Sequence, residues 1–298
     1  MTNLYASEQY LAVALMQTEA LDCRSNADVS ANVDSLCAGV QWAARAYPGI
    51  DLVVFPESST QGAPPQKDPR LYLDIPGPLI QRLLDACAAE RVWALFNVLE
   101  RREGPDSKPF NSTILVNAKG KIVLTQHKIN PFVPTEDSWP GSEISVCPGP
   151  KGAVFGIMTC YDGDFPEVAR DLAAQGANVL LRPSSYMEPY SEPWSFVNRA
   201  RAYENLAYVI AVNRFGITHK YNWFGGSMAV DYLGRILAQA PLGVRWTTKV
   251  DIDPRLADRA RAEFKTHNHL HNLKHRGYAG RGPDGDQSNV YGVYRNWK

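Results

Sequence analysis

Short apolar runs rich in β-forming residues alternate along the chain with amphipathic helical patterns, and this alternation most constrains the fold. The runs YLAVALMQ at 10–17 and DLVVFPE at 51–57 predict buried strands. Between them, apolar residues recur at helical spacing over 29–44 behind the candidate caps Ser25 and Asn26, which predicts an amphipathic helix. We therefore expect an α/β fold built in layers.

A second unit repeats this order and then changes it. The segment GPLIQRLLDACAAER at 77–91 predicts a helix, and VWALFNVLE at 92–100 predicts a strand. The segment NSTILVNAKGKIVLTQHK at 111–128 predicts an antiparallel hairpin with its turn at 118–120. A hairpin inside an alternating pattern indicates a mixed sheet rather than a purely parallel one.

The second half of the chain has the same pattern without repeating the sequence. Strands are predicted at 153–160, 178–185, 207–214, 225–239 and 247–253, and helices at 165–177 and 192–206. Two similar halves, each with a sheet that needs cover on both faces, predict two sheets packed together with helices outside.

The chain divides by pattern into a folded body and a tail. A chain of 298 residues can bury a substantial core, and one large domain or two fused halves are both open for residues 1–253. From residue 254 to 298 the sequence becomes polar and rich in Arg, His and Gly. Such a tail is either disordered or held by a partner subunit.

The charge balance points to a small molecule rather than a polyanion as the partner. The chain has 31 basic and 31 acidic residues, so charge alone predicts no affinity for nucleic acid or a membrane surface. The N-terminus has no basic segment followed by a long apolar one, and no stretch approaches the roughly 18 apolar residues that span a bilayer. We expect a cytoplasmic protein.

The cysteine in GIMTCYDGDFPE, Cys160, could be a buried apolar residue, a disulfide partner, a metal ligand or a nucleophile. The five cysteines are an odd number, widely scattered and never in a CxxC pair. A disulfide framework or a cysteine-type zinc site is therefore unfavourable, and a free thiol is expected. A single cysteine flanked by apolar residues is most often part of the core.

Three polar residues lie at the ends of predicted strands, where side chains of layered α/β folds converge on ligands. They are Glu57, Lys128 and Cys160. A thiol is nucleophilic as the thiolate, so a base must take its proton. A carboxylate shielded from water can act as that base and later as the acid for a leaving amine, and we assign this role to Glu57.

The same set offers donors for the oxygen of an attacked carbonyl group. Negative charge on this oxygen requires donors that are already aimed at it. The ammonium of Lys128 is one candidate, and the backbone N–H of Tyr161 near the start of the next helix is another. The expected product is a thioester that water then hydrolyses. Taken singly, a Glu or Lys after a strand is usually a solvated surface charge.

Three segments resemble the catalytic motifs of the nitrilase, or carbon–nitrogen hydrolase, superfamily, in the expected order. They are VVFPESSTQG, HKINPFVPTEDSWPG and CYDGDFPEVARDLAAQGANVLLRPS. The CYDGDFPE form, the RAYEN stretch and the tail NHLHNLKHRGYAG are most similar to the aliphatic amidase and formamidase branch. The resemblance covers nearly the whole chain and implies a four-layer α-β-β-α sandwich.

The resemblance also implies roles for residues and subunits. It gives Glu57 as general base, Lys128 as oxyanion stabiliser and Cys160 as nucleophile, and it adds Glu136 as a second essential carboxylate. Subunits of the family pair into homodimers or larger homo-oligomers, and tails of the amidase branch often wrap neighbouring subunits. No metal or organic cofactor is implied.

Five side chains are predicted to shape the substrate pocket. Members of the branch commonly carry an aromatic residue directly after the catalytic Glu and a tryptophan four residues after the Lys, where this chain has Ser58 and Phe132. Loss of a ring at position 58 predicts a wider acyl pocket. Phe132, Trp139, Tyr186 and Trp194 are candidate apolar walls, although each could be ordinary core.

The resemblance implies an amidase that hydrolyses a small primary amide to a carboxylic acid and ammonia. Cleavage of an N-carbamoyl compound, nitrile hydrolysis and acyl transfer to another acceptor are alternatives within the superfamily. Nitrilases typically place Trp and Glu after the cysteine, whereas Tyr161 and Asp162 stand here. A non-catalytic binding homologue is the alternative from another class, and the presence of all four catalytic residue types argues against it.

Overall fold

Two six-stranded mixed sheets lie face to face, and helices cover their outer faces. The computed structural model describes residues 9–62, 68–103, 108–133, 135–218, 221–264 and 268–275. The strands are β1 (Leu11–Gln17), β2 (Leu52–Val54), β3 (Trp93–Glu100), β4 (Phe110–Val116), β5 (Ile122–His127), β6 (Val146–Pro148), β7 (Val154–Ile157), β8 (Val179–Ser184), β9 (Tyr208–Asn213), β10 (Phe215–Thr218), β11 (Tyr221–Phe224), β12 (Met228–Val230), β13 (Ile236–Gln239) and β14 (Trp246–Ile252). The helices are α1 (Asn26–Ala46), α2 (Pro78–Glu90), α3 (Pro166–Ala174), α4 (Ser191–Asn205), α5 (Pro254–Glu263) and α6 (His269–His275).

The strand order places the ends of several strands at one edge of each sheet. The first sheet has the order β14-β1-β2-β3-β4-β5, and the second has β13-β12-β9-β8-β7-β6. In the first sheet β2 and β3 are parallel, and two antiparallel pairings bring β5 back to the same direction. In the second sheet β7, β8 and β9 are parallel. The carboxyl ends of these strands therefore share an edge within each sheet.

Successive side chains of β1 point to opposite faces of the first sheet, and each face is buried against a different layer. Leu11, Val13 and Leu15 belong to a buried cluster that draws side chains from both sheets. Ala12 and Met16 belong to a second cluster that includes the apolar faces of α1 and α2. Because both faces of the strand are covered, its sequence is a continuous apolar run rather than an alternating one. A third cluster joins the other sheet to α3 and α4.

The start of α1 is fixed by its own sequence. Ser25 is the N-cap, and its side chain accepts a hydrogen bond from the backbone N–H of Asp28. The Asp28 side chain accepts from the backbone N–H of Ser25 in return, which completes a capping box. The prediction of a helix behind this cap is confirmed.

The predicted four-layer sandwich is confirmed, but three local expectations were incomplete. Strand β6 and the β10–β11 hairpin were not predicted. Strand β7 ends at Ile157 instead of continuing to Cys160. The apolar residues after Ile157 prolong the strand pattern in the sequence, whereas the backbone turns there into a 3₁₀ turn over Cys160–Asp164.

The first part of the predicted tail packs against its own chain. Ala257 of α5 lies in the cluster between the sheets, and Asp258 accepts a hydrogen bond from Asn178 Nδ2 at 2.8 Å. Arg261 donates to the backbone oxygens of Ala177 and Asn205. Helix α5 therefore follows the predicted boundary at residue 253 and packs on the sandwich. Residues 276–298 lie outside the described part of the chain.

Leu181 tests the packing between the sheets, because its side chain is fully buried in the shared cluster. We expect Leu181→Ala to lower the free energy of unfolding by about 2–5 kcal/mol, from lost burial and the cavity that remains. Leu237→Ala, on a half-exposed side chain of β13, is the control and should cost well under about 1 kcal/mol. Denaturant unfolding of both variants measures the difference, and equal losses would contradict the two-sheet core.

Candidate active site

The carboxyl ends of the strands bring polar side chains from both sheets to one place. Glu57 follows β2 by three residues, Lys128 directly follows β5, and Cys160 follows β7 by three residues. Ser185, directly after β8, donates its backbone N–H to Glu57 Oε2 at 2.8 Å and its hydroxyl to the Glu57 backbone oxygen at 3.1 Å. The two sheets are therefore joined by hydrogen bonds at this edge.

The ammonium group of Lys128 lies between two carboxylates. Its Nζ is 2.9 Å from Glu57 Oε1 and 2.6 Å from Glu136 Oε2. The Lys128 side chain is only 1% exposed. The structure thus brings together three of the four residues predicted to be catalytic through direct contacts.

Glu136 is held by several further donors. The backbone N–H of Phe132 donates to its Oε2 at 2.9 Å, and the Ser138 hydroxyl donates to its Oε1 at 3.0 Å. Asn111 Nδ2 also donates to Oε1, at 2.7 Å. With the Lys128 ammonium, four donors fix the orientation of this carboxylate.

The charges in this cluster stabilise one another. Burial by itself would lower the pKa of Lys128, but the negative charges of Glu136 and Glu57 raise it well above the ordinary value. Burial by itself would raise the pKa of Glu136, but the charge of Lys128 and the donated hydrogen bonds lower it. Lys128 therefore stays protonated and Glu136 stays ionised near neutral pH.

Cys160 lies on a turn with an unusual backbone conformation. Its φ is +50°, in the left-handed region that non-glycine residues rarely adopt. The residue is 6% exposed, and its backbone oxygen accepts a hydrogen bond from Arg182 Nε at 2.9 Å. Burial raises the pKa of the thiol well above its ordinary value, and the nearby charge of Glu57 raises it further. The thiol therefore carries its proton at rest.

A buried carboxylate joins the turn over Cys160–Asp164 to the loop after Lys128. This turn carries the predicted nucleophile and is called the nucleophile turn below. Asp162 accepts hydrogen bonds from the backbone N–H groups of Thr159, Ile129 and Asn130, at 3.2, 3.3 and 2.7 Å. Burial raises the pKa of Asp162 to about 6, although Lys128 and the hydrogen bonds from 129–130 act to lower it. One side chain thus fixes the relative position of the predicted nucleophile and the predicted oxyanion donor.

Arg182 supports the same turn from the other side. Besides the Cys160 oxygen, it contacts Asn198 Oδ1 and Asp164 Oδ1, and its side chain is fully buried. The rings of Tyr186 and Trp194 lie 5.3 and 4.9 Å from the guanidinium carbon. These rings flank an arginine beneath the nucleophile turn, and their predicted contact with substrate stays a prediction.

The remaining predicted pocket residues lie in different environments. The Phe132 ring packs edge-to-face on Tyr161 with centroids 5.0 Å apart, and Tyr161 packs in the same way on Phe165. Trp139 is more exposed, and the charged groups of Arg102 and Lys108 lie over its ring. The structure thus brings Phe132 next to the nucleophile turn and puts Trp139 at the surface.

Tyr161 and Ser58, which the sequence singled out for a backbone N–H and a small side chain, both belong to turns. Tyr161 is the second residue of the 3₁₀ turn that begins at Cys160, so its N–H follows the nucleophile directly. Ser58 has φ of +57° and donates its backbone N–H to Asn97 Oδ1 at 2.8 Å. Its half-buried side chain lies next to the base instead of the ring that is common in the amidase branch.

Sequence reasoning missed four residues that contact the site, namely Asn111, Asp162, Arg182 and Ser185. Asn111 is the second residue of the antiparallel strand β4, so it lies at the same edge as the ends of β3 and β5. The antiparallel hairpin was predicted, and its direction was the signal that could have placed Asn111 near Lys128. Glu204 does not contact the site directly. It pairs with Arg201, which donates to the backbone oxygen of Gly163 in the nucleophile turn.

Among the residues that the structure describes, no helix is both long and apolar enough to cross a membrane. No group of three or more His, Cys, Asp or Glu residues in those ranges is arranged to hold a metal ion. Three histidines of the tail, His267, His271 and His275, recur at helical spacing, and the first of them lies outside the described residues. All five cysteines are free thiols.

Comparison with known proteins assigns the family. The family model for carbon–nitrogen hydrolases matches residues 12–262. This chain belongs to the carbon–nitrogen hydrolase family. A formamidase of Photorhabdus laumondii is 35% identical over 298 residues, covering 99% of this chain and 87% of the relative. A formamidase of Nitratidesulfovibrio vulgaris is 35% identical over 271 residues, covering 90% and 81%.

Solved structures agree with the fold and the superfamily. Nit3 of Saccharomyces cerevisiae, a member of branch 10 of the nitrilase superfamily, superimposes with a TM-score of 0.75 at 26% identity, covering 85% of this chain and 94% of that one. An amidase from Nesterenkonia sp. gives a TM-score of 0.74 at 22% identity, covering 89% and 99%. The predicted superfamily is confirmed, and the formamidase relatives fit the predicted amidase and formamidase-like branch.

Asp162 predicts a specific dependence of stability on pH. Its folded-state pKa of about 6 lies above its ordinary value of 3.8, so the folded protein binds this proton more tightly than the unfolded chain. The contribution of Asp162 to stability therefore falls as pH rises through this window, by about 3 kcal/mol in total.

We expect the free energy of unfolding of Asp162→Asn to rise relative to that of the wild type as the pH increases from 4 to 7. The variant has a constant cost, because an amide group faces backbone N–H donors, so only the pH dependence is diagnostic. Denaturant unfolding at several pH values measures it. A difference that stays constant across the window would contradict the raised pKa.

Proposed function

We propose that this chain is a cysteine-dependent amidase that hydrolyses a small primary amide to a carboxylic acid and ammonia. The observation that carries the proposal is the buried ammonium of Lys128, which holds Glu57 and Glu136 beside a buried thiol whose pKa is raised by the charge of Glu57. The formamidase relatives support the choice of an amide as substrate.

In the proposed first step, Glu57 takes the thiol proton while the sulfur of Cys160 attacks the amide carbon. The C–S bond forms, and the carbonyl π electrons move onto oxygen. Lys128 and the backbone N–H of Tyr161 are assigned as donors to this oxygen. The raised pKa of the thiol makes proton transfer to Glu57 concurrent with the attack, because the free thiolate is disfavoured in the resting site.

Collapse of the tetrahedral intermediate breaks the C–N bond. Glu57 returns the proton to the departing nitrogen, and ammonia leaves a thioester on Cys160. Water then attacks the thioester while Glu57 takes one of its protons. The C–S bond breaks, the carboxylic acid leaves, and the sulfur recovers its proton from Glu57.

The role proposed for Glu136 is to hold Lys128 in place. Its carboxylate is ionised and accepts hydrogen bonds from four donors, the Lys128 ammonium among them, which fixes its orientation.

The proposed substrate pocket lies between Phe132 and the small side chain at position 58. Ser58 replaces the ring that is common in the branch, so we expect acyl groups larger than formyl to be accepted. Trp139, Tyr186 and Trp194 remain as candidate outer walls. We also propose a homodimer or larger homo-oligomer, as the family resemblance implies, with the polar tail on a neighbouring subunit.

Removal of the thiol tests the proposed chemistry. We expect Cys160→Ala to lower ammonia release from formamide, acetamide and larger amides by at least about 10⁴-fold, because the covalent route is lost. Cys87→Ala is a matched control, since Cys87 is also a buried free thiol but lies on the buried face of α2. Equal, measurable ammonia release by Cys160→Ala and the wild type would refute the cysteine mechanism, whereas no release by either protein would favour a binding homologue.

The acyl group is identified by intact-mass spectrometry of the wild type after brief incubation with each amide. The added mass should equal the acyl group of the amide, should map to Cys160, and should be absent from Cys160→Ala. An added hydroxylamine would yield a hydroxamate if the site transfers acyl groups to acceptors other than water. An adduct with N-carbamoyl compounds but with no simple amide would instead favour an N-carbamoyl amidohydrolase.

A further inference from the structure

The side-chain amide of Asn111 lies between the two carboxylates of the site. Its Nδ2 donates to Glu57 Oε1 at 2.9 Å and to Glu136 Oε1 at 2.7 Å, and the residue is only 3% exposed. An amide NH₂ group has two hydrogens, so both are used by these carboxylates. Asn111 thus bridges the same pair of side chains that Lys128 bridges, without adding charge.

The orientation of this amide is fixed by a second asparagine. Asn111 Oδ1 accepts a hydrogen bond from Asn97 Nδ2 at 2.6 Å. Asn97 Oδ1 in turn accepts from the backbone N–H of Ser58 at 2.8 Å. If Asn111 were reversed, its oxygen would face two carboxylates and its NH₂ would face another NH₂ group. The Ser58 backbone N–H, which can only donate, and the Ser112 backbone oxygen, which accepts from Asn97 Nδ2 at 3.2 Å, therefore determine which way both amides point.

The chain of hydrogen bonds begins and ends at the proposed base. Ser58 directly follows Glu57, and its left-handed backbone conformation belongs to the turn that donates to Asn97. From Asn97 the chain passes through Asn111 and returns to the Glu57 carboxylate. The backbone and the carboxylate of this turn are therefore tied together through two side chains of β3 and β4.

These contacts distinguish the two oxygens of the Glu57 carboxylate. Each oxygen of an ionised carboxylate offers about two acceptor positions. Oε1 accepts from both Lys128 Nζ and Asn111 Nδ2, which uses both positions. Oε2 accepts from the Ser185 backbone N–H, which leaves one position. The free acceptor position nearest to hand for the proton of the Cys160 thiol is therefore on Oε2.

We propose that Asn111 is a positioning residue, oriented by Asn97, that occupies Oε1 of Glu57 and so reserves Oε2 for the proton of Cys160. The inference rests on the proposed amidase function for its role in turnover. Its effect on the thiol does not depend on an amide substrate and can be measured separately.

The first test is Asn111→Asp, which keeps the shape but replaces the donor with a third carboxylate. We expect kcat to fall by about 100-fold with a smaller change in KM, because the base is misdirected while the pocket is unchanged. We expect the acidic limb of the pH–rate profile to move up by about one pH unit, because adjacent carboxylates disfavour each other's ionised forms.

The second test is Asn97→Asp, which alters no group in contact with Glu57 or Glu136 side chains. The new carboxylate can still accept from Ser58 but cannot donate to Asn111, so it favours the reversed Asn111 amide. We expect the same direction of change in kcat and in the pH profile. The double variant with Asn111→Leu should be no slower than Asn111→Leu alone, because the effect of Asn97 passes through Asn111.

A readout that needs no turnover is the rate of Cys160 alkylation by iodoacetamide across pH. We expect Asn111→Leu and Asn97→Asp to slow alkylation at pH 7 by about tenfold, because Oε1 then has a free acceptor position and the thiol proton is no longer directed to Oε2. This measurement separates the two proposals. Slowed alkylation in a chain that hydrolyses no amide would contradict the amidase function and leave the role of Asn111 intact.

Asn178→Asp is the matched control for placing a carboxylate in the interior. Asn178 is fully buried at the opposite end of β8, and it too donates to a carboxylate, that of Asp258, at 2.8 Å. We expect it to lower thermal stability without changing the pH profile or the alkylation rate. If folded Asn111 and Asn97 variants match Asn178→Asp in all three kinetic readouts, the proposal is wrong.

Discussion

The buried ammonium of Lys128 is the interaction on which the site depends. A charge at 1% exposure has lost nearly all contact with water, and it is compensated by carboxylates at 2.9 and 2.6 Å. Removing one partner of such a group leaves an uncompensated buried charge, which costs several kcal/mol. The end of β2, the end of β5 and the loop that carries Glu136 are therefore held together by a common electrostatic requirement. Each of the three segments stabilises the position of the other two.

The second sheet contributes Cys160, the proposed nucleophile, and side chains that hold its turn in place. Arg182 fixes the backbone oxygen of Cys160, and Asp162 ties the same turn to the loop after Lys128. Ser185 connects the end of β8 to Glu57 in the first sheet. The site thus lies between the two sheets, so a shift of one sheet relative to the other would separate the Glu57 carboxylate from the Cys160 thiol. The apolar cluster between the sheets is what maintains that position.

The sequence predicted the layers well, because strand and helix periodicities differ and their order is recorded in the chain. It also placed Glu57 and Lys128 correctly at strand ends, where an apolar run stops at a charged residue. The left-handed backbone of Cys160 was not predictable, because it depends on Arg182, more than 20 positions away in the chain. Asn111 was missed for a similar reason: its importance arises from strand pairing, and an Asn at the start of a strand looks like ordinary turn chemistry. The packing of α5 on its own chain depends on contacts with Asn178 and Asn205, which no local pattern reveals.

The anchored carbonyl of Cys160 has a consequence for the second half of the proposed reaction. With its backbone held by Arg182, an acyl group on the sulfur can move only by rotation about the Cα–Cβ and Cβ–S bonds. In the proposed reaction the position of the acyl carbon is set by those two rotations, while Glu57 is itself held by hydrogen bonds. If this one carboxylate acts on both nitrogen and water, ammonia and water use the same position in turn. The escape of ammonia then sets the earliest moment at which water can attack.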